Sequence, residues 1–205
     1  MKNPKKTPHV TSYLLLAAYF LSAFVERTVF DLGPNIELVT MAMLLSAFYL
    51  GKKQSFWLTF AIIALTDRVI GNSNIFLFTW SGFLLPALFA NGIIRKLTTS
   101  SKLLTAKKMF TVLPLAIMGI GSNIFFYLWT NFGVWLLSSM YPHTAAGLVQ
   151  SYINALPFLR LQFTSSLIFV PLGFVVTEGI LTMEKKYSIS KRLASHISPV
   201  SKTLD

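Results

Sequence analysis

The apolar run from Gly119 to Leu137 constrains this chain more than any other segment, because it is nearly unbroken yet contains Asn123 and Asn131. A run of about 20 apolar residues is what a helix needs to cross the hydrocarbon of a bilayer. An amide side chain inside such a helix needs a polar partner, because lipid offers none. The run therefore predicts a membrane-spanning helix whose asparagines face other helices or a watery cavity.

A helix break and a second helix follow this run. The segment 141–144 contains a proline and is expected to end the span, and residues 145–156 are predicted to form a short helix that ends at Pro157. We interpret the span, the turn and the short helix as a lid over a binding cavity. The short helix is expected either to re-enter the membrane or to lie on its outer surface.

The composition favours a membrane protein. Of the 205 residues, 54% are hydrophobic and 12% are charged, whereas about 25% are charged in a typical soluble domain. A soluble bundle is disfavoured because the helices lack polar faces. A net charge of +11 is also typical of nucleic-acid-binding proteins, but the basic residues lie between apolar runs. Membrane topology explains this distribution, and no nucleic-acid partner is expected.

The apolar runs predict an all-α integral membrane fold with six transmembrane helices and the short outer-side or re-entrant helix. A single transmembrane domain, 13–183, is expected between a cytoplasmic basic leader, 1–12, and a cytoplasmic basic tail, 184–205. The predicted spans are 13–25 (or to 30), 36–50, 55–70, 75–94, 109–137 and 161–183.

The basic residues predict the orientation. With a cytoplasmic amino terminus, fifteen of the eighteen fall on the inner side, as the positive-inside rule requires. We therefore expect a multi-pass protein of the cell inner (cytoplasmic) membrane with both termini in the cytoplasm. The fifteen are Lys2, Lys5, Lys6, Lys52, Lys53, Arg95, Lys96, Lys102, Lys107, Lys108, Lys185, Lys186, Lys191, Arg192 and Lys202, and the other three are Arg27, Arg68 and Arg160.

Polar and charged side chains near the outer ends of the spans are candidates for substrate binding. Charges at the membrane boundary are costly, so they pair or line a cavity. Either Arg68 or Arg160 could meet a ligand carboxylate or phosphate, and ion pairing is the alternative. Glu26, Arg27 and Asp31 lie on the same side and are interpreted as ion-paired or solvated loop ends.

The aromatic and amide residues have two interpretations each. Asn123 and Asn131 are eight residues apart, so they share a helix face and either bond to other helices or contact a ligand. The aromatic residues fit either an interfacial belt or stacking on a flat heterocycle. The substrate-binding candidates are Asp67, Arg68, Asn123, Trp129, Asn131, Trp135, Tyr141 and Arg160.

The sequence lacks motifs for catalysis and for metal binding. It contains no phosphate-binding loop, no Gly-x-Ser-x-Gly and no His-Glu-x-x-His. The absence of cysteine excludes thiolate chemistry, and His9, His143 and His196 have no second ligand at metal spacing. We expect no enzyme, no metal and no cofactor.

Several motifs resemble an uncharacterised bacterial multi-pass membrane family (DUF6580-like). They are Gly33-Pro34-Asn35-Ile36-Glu37, Thr66-Asp67-Arg68-Val69-Ile70-Gly71, Ser122-Asn123-Ile124-Phe125-Phe126, Thr130-Asn131-Phe132-Gly133-Val134-Trp135, Tyr141-Pro142-x-Thr144-x-x-Gly147-Leu148, Tyr152 and Ala155-Leu156-Pro157-Phe158. That family is similar in hydropathy and topology to the S components of energy-coupling-factor (ECF) vitamin transporters.

The S-component resemblance implies a component of an importer rather than an enzyme. Such a protein captures a vitamin-like solute in an outward-facing cavity and docks on a membrane coupling (T) subunit driven by cytoplasmic ATPases. Such a protein docks through small residues on a helix. The candidates here are Ala18 with Ser22 and Ala42 with Ser46. The alternative is that these small residues allow close packing of helices within the chain. The alternative function is a non-transporting structural or assembly protein that packs against partner helices.

Overall fold

The computed structural model describes residues 9–71, 73–100 and 112–188, and all regular structure in these ranges is helical. The prediction of an all-helical fold is thereby confirmed for these ranges. The basic leader up to residue 8, the connection 101–111 and the tail beyond residue 188 lie outside the described ranges. The elements are α1 (His9–Val25) with a π-helical turn (Glu26–Phe30), α2 (Val39–Tyr49), α3 (Lys52–Ile70), α4 (Phe76–Ser100), α5 (Val112–Leu137) and α6 (Ala145–Tyr187).

Four of the described helical segments are long and apolar enough to cross a membrane: Val10–Phe30, Phe76–Thr98, Val112–Leu137 and Ala145–Tyr187. The predicted second and third spans do not meet both criteria. Helix α2 has 11 residues and is about 16 Å long, half of the roughly 30 Å of hydrocarbon. Helix α3 is 19 residues long but begins Lys-Lys-Gln and contains Asp67 and Arg68 in its last turn, and these charges lower its hydropathy.

The prediction that Pro157 ends a short helix is wrong. The predicted helix 145–156 and the predicted span 161–183 form one helix, α6, with Pro157 and Pro171 inside it. Each proline removes a backbone donor, but neighbouring helices and local adjustment compensate for this in apolar helices. With 43 residues, α6 is about 65 Å long, and no separate lid helix exists in this part of the chain.

Helix α2 forms the centre of the bundle. Nine of its eleven residues are buried, and it packs against each of the other five helices. A helix that is surrounded by protein does not need to match the thickness of the lipid, which explains how this short apolar segment is accommodated. Because α2 begins only at Val39, loop 31–38 takes the place of the additional turns that a longer helix would have. The loop fills this space incompletely, and a cavity remains at this end of the bundle.

The helix ends fall at two opposite ends of the bundle. At one end, Tyr49 in the last turn of α2 donates to Glu178 of α6 (3.0 Å), and Asn91 of α4 donates to the Ala47 carbonyl (2.6 Å). The described members of the fifteen predicted inner-side basic residues belong to helix termini at this end, which we call the basic end. They are Lys52, Lys53, Arg95, Lys96, Lys185 and Lys186.

Candidate functional site

A cavity of about 470 Å³ lies at the end of the bundle opposite to the basic end. Its wall comes from the π-helical turn, loop 31–38, the end of α3, the first turns of α4, the second half of α5 and the first half of α6. Its polar and charged lining residues are Glu26, Arg27, Asp31, Asn35, Glu37, Thr79, Tyr127, Thr130, Asn131 and Gln162.

Loop 31–38 folds over the cavity because its residues accept left-handed backbone conformations. Asp31, Gly33 and Asn35 have φ values of 40°, 124° and 59°. Aspartate, asparagine and glycine are the residue types that adopt this region at the lowest cost. The Ile36 amide donates to the Gly33 carbonyl (3.0 Å) and closes the turn. The Asp-Leu-Gly-Pro-Asn sequence thus brings the chain back to the start of α2.

Two glutamates engage the amino terminus of α2. The Glu37 carboxylate accepts from the Thr40 amide (3.0 Å) and hydroxyl (2.6 Å), and Glu26 accepts from the Leu38 amide (3.3 Å). The Ser165 hydroxyl of α6 donates to the Glu37 carbonyl (2.9 Å) and accepts from its amide (3.1 Å). Burial raises the pKa of Glu37, and the Thr40 hydrogen bonds oppose that rise.

An ion pair closes the side of the cavity between the π-helical turn and α3. Arg27 Nη2 lies 2.8 Å from Asp67 Oδ1, and their side chains are 17% and 7% exposed. Trp80 of α4 donates from Nε1 to Asp67 Oδ2 (2.7 Å). Arg27 lines the cavity, and Asp67 sits behind it with both oxygens engaged. The arrangement joins α1, α3 and α4 at the cavity end.

Of the eight predicted substrate-binding residues, the structure places Asn131 on the cavity wall. Its Nδ2 donates to the Tyr127 carbonyl of the same helix (2.7 Å). Asn123 is buried below the cavity and joins α5 to α6, because its Nδ2 donates to the Gln162 carbonyl (3.0 Å) and the Ser166 hydroxyl (2.9 Å). The two amides therefore share a helix but have different surroundings.

The charged candidates are not assembled around one ligand position. Asp67 is engaged by Arg27 and Trp80. Arg68 and Arg160 are exposed, and neither lines the cavity. A ligand carboxylate in this cavity would therefore not meet the two arginines that the sequence analysis favoured for it.

The aromatic candidates follow one another along α5 instead of lining the cavity. Trp129 and Trp135 contact Phe132, with ring centroids 6.2 Å and 5.6 Å apart. Trp135 also donates to the Pro142 carbonyl (3.0 Å). Tyr141 lies in the turn between α5 and α6. Trp135 thus supports the α5–α6 turn, whereas Trp129 joins α5 to α4 by donating to the Ser81 hydroxyl (2.8 Å).

The small residues proposed for partner docking differ in accessibility. Ala42 and Ser46 are fully buried in α2, so their close approach serves packing within this bundle. Ala18 is exposed on α1, whereas Ser22 is half-buried and donates to the Tyr19 carbonyl (3.0 Å). Only the α1 pair offers an outer surface.

Sequence reasoning missed Gln162 and gave too little weight to Glu26, Asp31 and Glu37. The carboxylates could have been noticed as a group, since all fall within twelve residues of a strongly apolar chain. Gln162 belongs to a different helix, and only the folded chain brings it to them. In the described ranges, no group of three or more His, Cys, Asp or Glu side chains could hold a metal ion.

Comparison with known proteins gives one family. A family model matches residues 6–190, and its description is "Family of unknown function (DUF6580)". No curated protein and no solved structure matches the chain.

Proposed function

We propose that this chain, which belongs to the DUF6580 family, is the solute-binding component of a membrane importer. It takes up a vitamin-like molecule in the cavity beside the amino terminus of α2. The observation that carries the proposal is the cavity. Its volume of about 470 Å³ falls within the range of small-molecule sites, roughly 300–1,000 Å³. Ionisable residues are rare within membrane bundles and typically mark substrate pathways, and here they gather around one hollow.

The charge distribution supports an outward-facing cavity. The six described basic residues of the predicted inner side belong to the basic end, and the cavity lies at the other end. By the positive-inside rule, the basic end faces the cytoplasm of the inner membrane, and both termini lie there. The cavity then opens toward the outer face, where an imported solute arrives.

Energy for import comes from partner subunits in this proposal. The sequence contains no phosphate-binding loop, so a membrane coupling (T) subunit and cytoplasmic ATPases would supply ATP hydrolysis, as the resemblance to ECF S components implies. Helix α1 is the peripheral helix best placed for docking, since Ala18 is exposed on it and small residues permit close helix approach.

Mass spectrometry of molecules that copurify with the protein tests solute binding. Val134 lines the cavity, so Val134→Phe is expected to fill part of it and to abolish copurification. Val175→Phe is the matched control, because Val175 is 65% exposed on α6. Wild type and the control should carry the same molecule in several mild detergents. Finding no molecule above background, or equal amounts in both variants, would contradict the proposal.

A second candidate is a structural or assembly protein, and the surface between α1 and α3 favours it. An apolar groove there is lined by Ala17, Leu21 and Trp57, among others, and could hold a partner helix. In that case Ala17→Trp should abolish recovery of the partner and the cellular phenotype, whereas Val134→Phe should leave both intact. The importer proposal expects Val134→Phe to abolish uptake.

A further inference from the structure

Acidic residues outnumber basic residues on the cavity wall. Glu26, Asp31 and Glu37 line it, and Arg27 is the only basic residue among the described lining residues. The Arg27 guanidinium is already paired with Asp67 at 2.8 Å. Its charge is therefore compensated by Asp67 before a ligand enters, and the exposed Asp31 carboxylate gives the cavity a negative field.

The amino terminus of α2 is not available to an anion. In membrane proteins, the ends of short helices can hold anionic groups through their free amides and positive dipole. Here the Leu38 amide donates to Glu26 (3.3 Å) and the Thr40 amide donates to Glu37 (3.0 Å). An anionic ligand would have to displace a carboxylate of the chain itself and remain close to the others.

A further amide side chain, Gln162, lies on the same cavity wall. Gln162 is 3% exposed and lines the cavity, and its side chain makes no hydrogen bond to any residue that the structure describes. The amide is therefore available to water or to a ligand in the cavity. The amide oxygen can accept from an ammonium group, which can donate up to three hydrogen bonds.

Aromatic rings provide the apolar part of the wall. Phe83, Phe126 and Phe158 line the cavity together with aliphatic residues. Aromatic faces attract cations and also cover the apolar body of a ligand. The cavity thus combines negative charge, one free amide and aromatic rings.

We propose that the cavity selects a cationic solute, namely an organic ammonium compound with an aromatic or apolar body. This inference rests on the proposed function, because it names the substrate class of the same cavity. The carboxylates attract the ammonium group, Gln162 accepts a hydrogen bond from it, and the rings cover the body.

Three probes with one body and different charges test this selectivity: phenethylammonium, 2-phenylethanol and 3-phenylpropionate. Dissociation constants are measured by ligand-observed NMR on the purified full chain in mild detergent. We expect phenethylammonium to bind at least tenfold more tightly than either of the other probes.

Asp31→Asn is the variant that removes one charge with the least disturbance. Asp31 is exposed and has a φ of 40°, which asparagine also adopts readily. We expect it to weaken phenethylammonium binding about fivefold and to leave 2-phenylethanol unchanged. Glu184→Gln is the control, because it makes a charge change of the same kind near the basic end and should change neither.

The outcomes separate this inference from the proposed function. Equal binding of the alcohol and the ammonium, or tighter binding of the carboxylate, overturns the charge selectivity and leaves solute binding standing. If no probe binds, the charge of the copurifying molecule decides, since a cation supports the inference and a neutral or anionic molecule overturns it. If no molecule copurifies either, both proposals fall.

Discussion

Replacing Asp67 by asparagine removes the charge that holds Arg27 at the cavity end of the bundle. Asp67 accepts from Arg27 at 2.8 Å and from Trp80 at 2.7 Å. Asparagine has nearly the same size and keeps an oxygen that can accept from Trp80. The substitution therefore leaves the guanidinium of Arg27, 17% exposed, without its ion-pair partner.

The expected cost follows from this geometry. At the 2.8 Å separation of the pair, the Coulomb attraction is about 6 kcal/mol with an effective dielectric constant of 20. Desolvation of both groups offsets part of this, and removing one partner of a buried pair typically costs about 3–5 kcal/mol. Arg27 Nε is already buried without a hydrogen bond among the described residues. We therefore expect Asp67→Asn to lower the free energy of unfolding by about 3 kcal/mol.

A double-mutant cycle distinguishes charge pairing from packing. Arg27→Met alone should cost about as much as Asp67→Asn, whereas the double variant should cost about 1 kcal/mol, because no charge is left unpaired and Trp80 keeps an acceptor. Unfolding is followed by circular dichroism in mixed micelles with increasing SDS and no added ligand. Additive costs, or a change below about 0.5 kcal/mol for Asp67→Asn, would refute the reasoning.

Three further predictions concern other parts of the bundle. Burial raises the pKa of Glu37 above its ordinary 4.5, so the contribution of Glu37 to stability is full below pH 4.5 and declines as the pH rises through the raised pKa. Glu37→Gln should therefore flatten the pH dependence of the free energy of unfolding, measured by SDS titrations at several pH values. Gly133→Ala should cost about 1–3 kcal/mol, because the added Cβ would overlap Phe78, whereas Gly121→Ala on the same helix meets nothing within 4 Å and should be neutral by thermal unfolding. Asn123→Ala should cost about 1 kcal/mol in the same assay by breaking the α5–α6 hydrogen bonds, and a cost near zero would contradict that role.

The sequence by itself determined the helical class, most helix positions and the family. Hydrophobicity is a local property, so apolar runs identify helices wherever the chain enters an apolar environment. The run ending at Leu137 corresponds to α5, which spans Val112–Leu137. The resemblance to the DUF6580 family, stated from short motifs, is confirmed over residues 6–190.

The tertiary structure alone decided how those helices share the interior. Whether Pro157 ends a helix depends on neighbours that compensate for the lost backbone bond, so its local signal was misleading. Whether Val39–Tyr49 must span lipid depends on the helices that surround it. Gln162 meets Glu37 in one cavity although the two are 125 residues apart in the chain. The charge of a cavity is the sum over residues that folding brings together, and no local pattern in the sequence contains that sum.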